Sequence, residues 1–271
     1  MSYVSMTLAA PATKERALAA CFSAYQYLTV GAHRLAYRTA GDASGKPVML
    51  IHAFASQSGS WEAVAKALAD EGFRIVAPDL RGHGRSARTS TYALSEFEQD
   101  LVALLDALDL HDVSLVGHSL GGHLALRLAA YQPGRIRKLV LEAAPVPPRD
   151  AAEAAGIAAS RPGPAWRHSL KLLGMGRLVR LLLLRQFDPR AALTVPRELR
   201  TPMPAWWNRL ATLSSPCLLL ASQNDGAVTQ RLSLLSSHLP HATAHHVGSG
   251  HRLHGEHTEA FLAAVLPFLS A

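Results

Sequence analysis

One serine of the 271-residue chain stands where its hydroxyl could become a nucleophile. Gly117-His118-Ser119-Leu120-Gly121 is a G-x-S-x-G run between the apolar stretch Val113–Val116 and an amphipathic stretch that begins at Leu120. Glycines on both sides permit a tight strand-to-helix turn, which pushes the hydroxyl out over the sheet edge. The same turn is a helix N-terminus, whose free N–H groups and dipole favour negative charge beside that hydroxyl. A serine hydroxyl is weak on its own, so this chemistry needs a base and an acid that orients the base. His251, in Gly248-Ser249-Gly250-His251, follows the last strand-like run, and its small neighbours would let the ring approach the serine. Seven histidines fall between His238 and His257, so composition alone does not select it. Asp225, in the turn-rich Ser222-Gln223-Asn224-Asp225-Gly226, is the expected acid, with Glu142 at the end of Ile136–Leu141 in reserve. His254 and His257 follow His251 at i+3 and i+6 without an H-E-x-x-H pattern or a set of acidic partners. No metal is therefore expected, and these two read as solvated loop histidines.

Such residues need a scaffold to bring them together. Tyr25–Val30 and His33–Thr39 read as a hairpin about Gly31, while Val48–Ile51 and Arg74–Ala77 are short apolar runs typical of strands buried on both faces of a parallel sheet. Trp61–Ala69 has helical spacing, and Ser95-Glu96-Phe97-Glu98 reads as a capping box opening a helix to about Leu108. The alternation continues through Val113–Val116, Leu120–Tyr131 and Ile136–Leu141. It resumes later with Cys217–Ala221, Val228–Leu239, Ala242–Val247 and a last helix from about Glu256 to Leu269. That order predicts a doubly wound α/β fold with a mostly parallel sheet. Between Pro145 and Ser215 prolines break the rhythm, leaving two short helical stretches near His168–Gln186 and Pro204–Leu213. This stretch reads as an insertion.

Composition narrows the partners. A 49% hydrophobic and 17% charged chain has ample apolar surface for a large core and is not a disordered one. The formal charge of +7 would suggest nucleic acid if it were spread over the molecule. It is not: Val146–Ala211 holds eleven of the 27 basic residues and four of the 20 acidic ones, so the whole excess lies in the insertion. No nucleic-acid motif accompanies it, and a small-molecule substrate, anionic or carrier-linked, is the expected partner. Cys21 and Cys217 form neither a disulfide framework nor a thiolate zinc site. With no secretory pattern at the N-terminus and no apolar run approaching ~18 residues, a cytoplasmic protein that does not enter a membrane is expected.

Taken together, these residues resemble the α/β-hydrolase superfamily, in its lid-bearing group of esterases, lactonases, perhydrolases and C–C bond hydrolases. The resemblance runs from Tyr25 to Leu269. It rests on Val48–Phe54, similar to a strand ending in His-Gly-Phe; on Asp79-Leu80-Arg81-Gly82-His83-Gly84-Arg85-Ser86, similar to a D-x-R-G-x-G-x-S loop; and on the Gly117–Gly121 elbow, the Asp225 loop and Gly250-His251. It implies an eight-stranded sheet, a core of residues 1–145 and 212–271, and a helical lid of residues 146–211 after the sixth strand. It also implies a Ser119–Asp225–His251 triad, an oxyanion hole made by the backbone N–H groups of Phe54 and Leu120, and no cofactor. Substrate contacts are expected from His52, His118, Leu182 and Trp206. Ala53 replaces the family's usual glycine, which would strain the oxyanion loop if that position requires positive φ. Serine at the elbow points to acyl chemistry on an ester, lactone or thioester. Two other functions stay open: a C–C hydrolase, lyase or cyclase using His251 for proton transfer, and a non-catalytic receptor of the same fold.

Overall fold

The computed structural model describes residues 21–160, 183–184, 186–222 and 226–271. Eight strands form one sheet: β1 (Gln26–Val30), β2 (His33–Ala40), β3 (Lys46–Ile51), β4 (Phe73–Pro78), β5 (Val113–His118), β6 (Ile136–Glu142), β7 (Cys217–Ala221) and β8 (Ala242–His246). Their spatial order is β1-β2-β4-β3-β5-β6-β7-β8. The predicted hairpin pairs antiparallel about Gly31, β2 runs antiparallel to β4, and every later pairing is parallel. The strands β3, β5, β6 and β7 are nearly continuous runs of buried aliphatic residues, because helices cover both faces of a parallel sheet.

Each face has its own apolar layer. On one, α2 (Leu94–Ala107) and α3 (Leu120–Tyr131) pack Phe97, Leu101, Leu124 and Leu128 against Met49, Leu115 and Leu139. On the other, α1 (Glu62–Asp70) and the C-terminal helix (Thr258–Ser270) pack Val64, Leu68, Phe261 and Val265 against Val48, Ile75 and Val116. The last helix begins at Thr258, two residues after its expected start near Glu256, and His257 (φ −135°, ψ 49°) separates it from the single turn Leu253–Glu256. α2 also starts earlier than the Ser95 capping box predicts. Ala93 is its cap, and Glu96 reaches back to accept the Ala93 N–H at 2.8 Å.

Between β6 and β7 the chain leaves the sheet. α4 (Ala151–Ser160) buries no residue, whereas α5 (Ala191–Glu198) and α6 (Pro204–Leu210) add Ala191, Val195, Trp206 and Leu210 to the core layer beneath them. Neither α4 nor α5 was expected: α4 is an alanine-rich stretch without an apolar stripe, and α5 carries Pro196 inside it. Of the expected helix near His168–Gln186, residues 161–182 and 185 lie outside the described residues. The described arginines of the insertion include Arg149 bonded to Glu153, Arg190 bonded to Asp188, and Arg209 lying 4.8 Å over the Tyr131 ring. No helix among the described residues is long and apolar enough to cross a membrane.

The D-x-R-G-x-G-x-S loop after β4 is a junction rather than a surface. Asp79, fully buried, accepts the N–H groups of Ser58 (2.7 Å) and Arg85 (2.8 Å). Arg81 makes a two-pronged ion pair with Asp100 of α2 (2.7 and 2.8 Å), and Glu96 lies 3.0 Å from it. Planar guanidinium–carboxylate geometry suits such a buried pair, but only while both partners remain. Asp100→Ala is therefore expected to lower unfolding free energy by about 3 kcal/mol, measured by urea denaturation, because it leaves the buried Arg81 cation with Glu96 alone. A loss below about 1 kcal/mol would show that the loop does not depend on this pair.

Candidate active site

The candidate residues stand at the carboxyl ends of β3, β5, β6 and β8. Ser119, directly after β5, has φ 50° and ψ −116°, a left-handed conformation that costs a non-glycine residue about 1–3 kcal/mol. Its N–H donates to the Glu142 carbonyl (2.8 Å), and its own carbonyl accepts the His123 N–H that starts α3 (3.1 Å). The flanking glycines are required sterically. A Cβ on Gly117 would meet the Gly122 nitrogen at 2.6 Å, and one on Gly121 would meet the His52 carbonyl at 2.8 Å and collide with that of Ile51. Among the described residues, five non-glycine residues take positive φ, and three of them, Ala55, Ser119 and Ala143, lie at the ends of β3, β5 and β6. Strained residues of this kind cluster at functional sites, which makes this end of the sheet the candidate.

Ala53 is not among the strained residues; the left-handed position is Ala55, at φ 53°. The expected cost of alanine at 53 is therefore absent. Next to it Phe54 is partly buried, its ring edge-on to Phe187 (4.9 Å) and His83 (5.8 Å). Leu120 opens α3, where a helix leaves the backbone N–H without an intrahelical acceptor.

His52 and His118 sit deeper than substrate contacts would. His52 is fully buried, with Nδ1–H donating to the Ala53 carbonyl (2.7 Å) and Nε2 accepting the Leu80 N–H (2.9 Å). Both ring nitrogens are thus spent on joining the β3 loop to the β4 loop, a correction to the expected substrate contact. His118, almost fully buried, donates Nε2–H to the His251 carbonyl (2.8 Å), and the two rings lie 5.1 Å apart. Burial pushes both imidazoles down to about 4. His251 itself is exposed, on the loop that His118 holds beside the elbow.

The largest departure from the sequence reading is His254. It is not solvated but buried, stacked on Trp61 at 4.0 Å, and its Nδ1–H donates to Glu142 Oε2 at 2.6 Å. Its backbone N–H donates to Glu142 Oε1 (3.2 Å). Burial works against ionisation of Glu142, but His118, His254 and these hydrogen bonds outweigh it and hold the carboxyl below its ordinary range. Glu142, the reserve acid for His251, is therefore committed to His254. His118, Glu142 and His254 each offer a metal-ligating atom within 4.8 Å of the others; His254 Nδ1 and His118 Nε2 face protein oxygens, while His254 Nε2 is buried with no hydrogen-bond partner among the described residues. The alternation of the sequence could have found Glu142 and His118 as neighbours: the β5–β6 register pairs them, so both side chains stand on one face.

Trp206 is buried, its ring 5.4 Å from His123 and 5.2 Å from Trp207. Asp225 and Leu182 lie outside the described residues; the described chain flanking Asp225 is β7, which ends at Ala221, and the helix that begins at Gly226.

A sequence profile of the alpha/beta hydrolase fold matches residues 46–166, from β3 through α4. Over nearly its whole length the structure superposes on a hydrolase from Pseudomonas aeruginosa, with TM-score 0.74 and 25% identity, covering 91% of this chain and 98% of that one. The chain has the α/β-hydrolase fold. Curated relatives match over shorter stretches. A non-heme chloroperoxidase from Kitasatospora aureofaciens is 42% identical over 106 residues, 38% of either chain. An uncharacterized protein of Mycobacterium tuberculosis is 38% identical over 120 residues, 44% of this chain and only 34% of its own.

The buried histidines make stability depend on pH. His52 and His118 are pushed by burial to about 4, and His83 and His123 to about 3, all below the ordinary value of 6.5. As pH falls below 6.5 the unfolded chain takes up protons that the folded one refuses, so stability is complete above 6.5 and declines toward 3–4. The urea midpoint is expected to fall between pH 7 and pH 5, and His123→Leu should flatten that slope. Equal midpoints at the two pH values would contradict the assignment of these rings as neutral.

Proposed function

We propose that this protein is a serine hydrolase acting on a carboxylic ester, lactone or thioester of a small molecule through an acyl-enzyme. The observation that supports this most is the left-handed Ser119, held at a helix N-terminus one residue from the histidine that grips the His251 loop. In the proposed cycle His251 takes the Ser119 hydroxyl proton as the oxygen attacks the substrate carbonyl. Asp225 orients the imidazole and stabilises the imidazolium. The oxyanion rests on the backbone N–H groups of Phe54 and Leu120, donors of a kind worth about 3 kcal/mol each. His251 then returns its proton to the leaving alcohol or thiol and accepts one from a water that attacks the acyl carbon; as the bond to Ser119 Oγ breaks, His251 gives that proton to Oγ and the acid is released. No cofactor is needed.

Serine, rather than a carboxylate, at the elbow favours acyl transfer over alkyl displacement. The left-handed residue of this loop is Ala55 rather than Ala53, so alanine at position 53 does not strain the proposed oxyanion loop. Residues 146–211 are proposed as the lid, and Leu182 and Trp206 as its substrate-binding residues. Its basic excess suits an anionic or carrier-linked substrate.

A fluorophosphonate probe is expected to label Ser119, and Ser119→Ala to abolish labelling with the fold intact. Asp225→Asn should lower kcat for p-nitrophenyl acetate by about a thousandfold or more. Failure of the wild-type chain to react with the probe would remove the hydrolase reading, and near-normal turnover by Asp225→Asn would remove that residue from the triad.

A further inference from the structure

Three groups around the candidate site take no part in the proposed cycle: Glu142, His254 and His118. All are buried, and together they join the two segments whose spacing the cycle requires. Glu142 holds the nucleophile elbow by its backbone, accepting the Ser119 N–H, and holds the histidine loop by its side chain, accepting both the N–H and the Nδ1–H of His254. His118, the residue before Ser119, closes the circuit from the other side by donating to the His251 carbonyl. The rings of His251, His118 and His254 follow one another at 5.1 and 5.0 Å. A buried carboxylate bonded to an imidazole stabilises little beyond an apolar pair of the same volume, so fold stability alone does not account for these two side chains here.

We propose that the buried Glu142–His254 pair, linked through His118, is a positioning device that fixes the approach of His251 to Ser119. Neither residue touches substrate. Their effect passes through the loop, in which His254 is three residues from His251, so loosening it shifts the imidazole relative to the serine. A misplacement of about 1 Å in such geometry costs on the order of 100-fold in rate. The inference rests on the serine-hydrolase reading given above.

The test replaces both partners at once. Glu142→Leu with His254→Phe keeps apolar volume and the stack on Trp61, and leaves no unpaired charge, so the double variant is expected to melt within a few degrees of wild type. With p-nitrophenyl acetate its kcat should fall at least tenfold and its KM change less than twofold, and fluorophosphonate labelling of Ser119 should slow in parallel. His254→Asn, which keeps a side-chain N–H donor for Glu142, should recover most of that loss, and serves as the second measurement if the double variant does not fold. Wild-type kcat and labelling rate in the double variant would overturn the positioning role, as would an Asn variant no faster than His254→Phe alone. Absence of labelling in the wild-type chain would instead remove the underlying serine-hydrolase reading.

Discussion

The structure around the candidate site depends on one strained residue. Ser119 is turned into the left-handed region because β5 must end and α3 must begin within a single step, with α3 packed close against β3. The cost of that conformation is met by contacts on both sides: the Glu142 carbonyl takes its N–H, α3 takes its carbonyl, and two glycines admit the neighbouring backbone. Strain held this firmly projects a side chain from the sheet edge and sets it at a helix N-terminus. Those are the conditions under which an alkoxide-like oxygen is stabilised.

Histidines act as couplers around this point. His52 ties the β3 loop to Leu80, His83 donates Nδ1–H to the Arg81 carbonyl, and His118 and His254 tie the His251 loop to β5 and β6. A ring with one donor and one acceptor nitrogen can join two backbone segments where no secondary structure runs between them. Burial keeps several of these rings neutral, so they hold loops in place without a competing charge beside the exposed His251. The imidazole expected to do chemistry is thus surrounded by imidazoles that do not.

Much of the fold could be read from the sequence because its signals are local. Continuous aliphatic runs named the core strands, and Gly117, Ser119 and Gly121 named the elbow, since a turn that tight leaves few residue types able to make it. What could not be read was pairing across distance. His254 looks like its exposed neighbours in the sequence, and only the turn Leu253–Glu256, packed on Trp61 and facing Glu142, shows that it is buried. His52 and His118 flank the site in sequence as substrate contacts would, yet His52 is bonded to the Ala53 carbonyl and the Leu80 N–H, and His118 to the His251 carbonyl. α4 and α5 went unseen because an alanine-rich helix has no stripe and because Pro196 argued against a helix.

In the proposed cycle Ser119 carries the acyl group during turnover. Quenching the reaction with p-nitrophenyl acetate in acid and sequencing the peptides by mass spectrometry should find an acetyl group on the Ser119 hydroxyl, absent from Ser119→Ala. Steady turnover with no acetyl on that peptide would contradict that cycle.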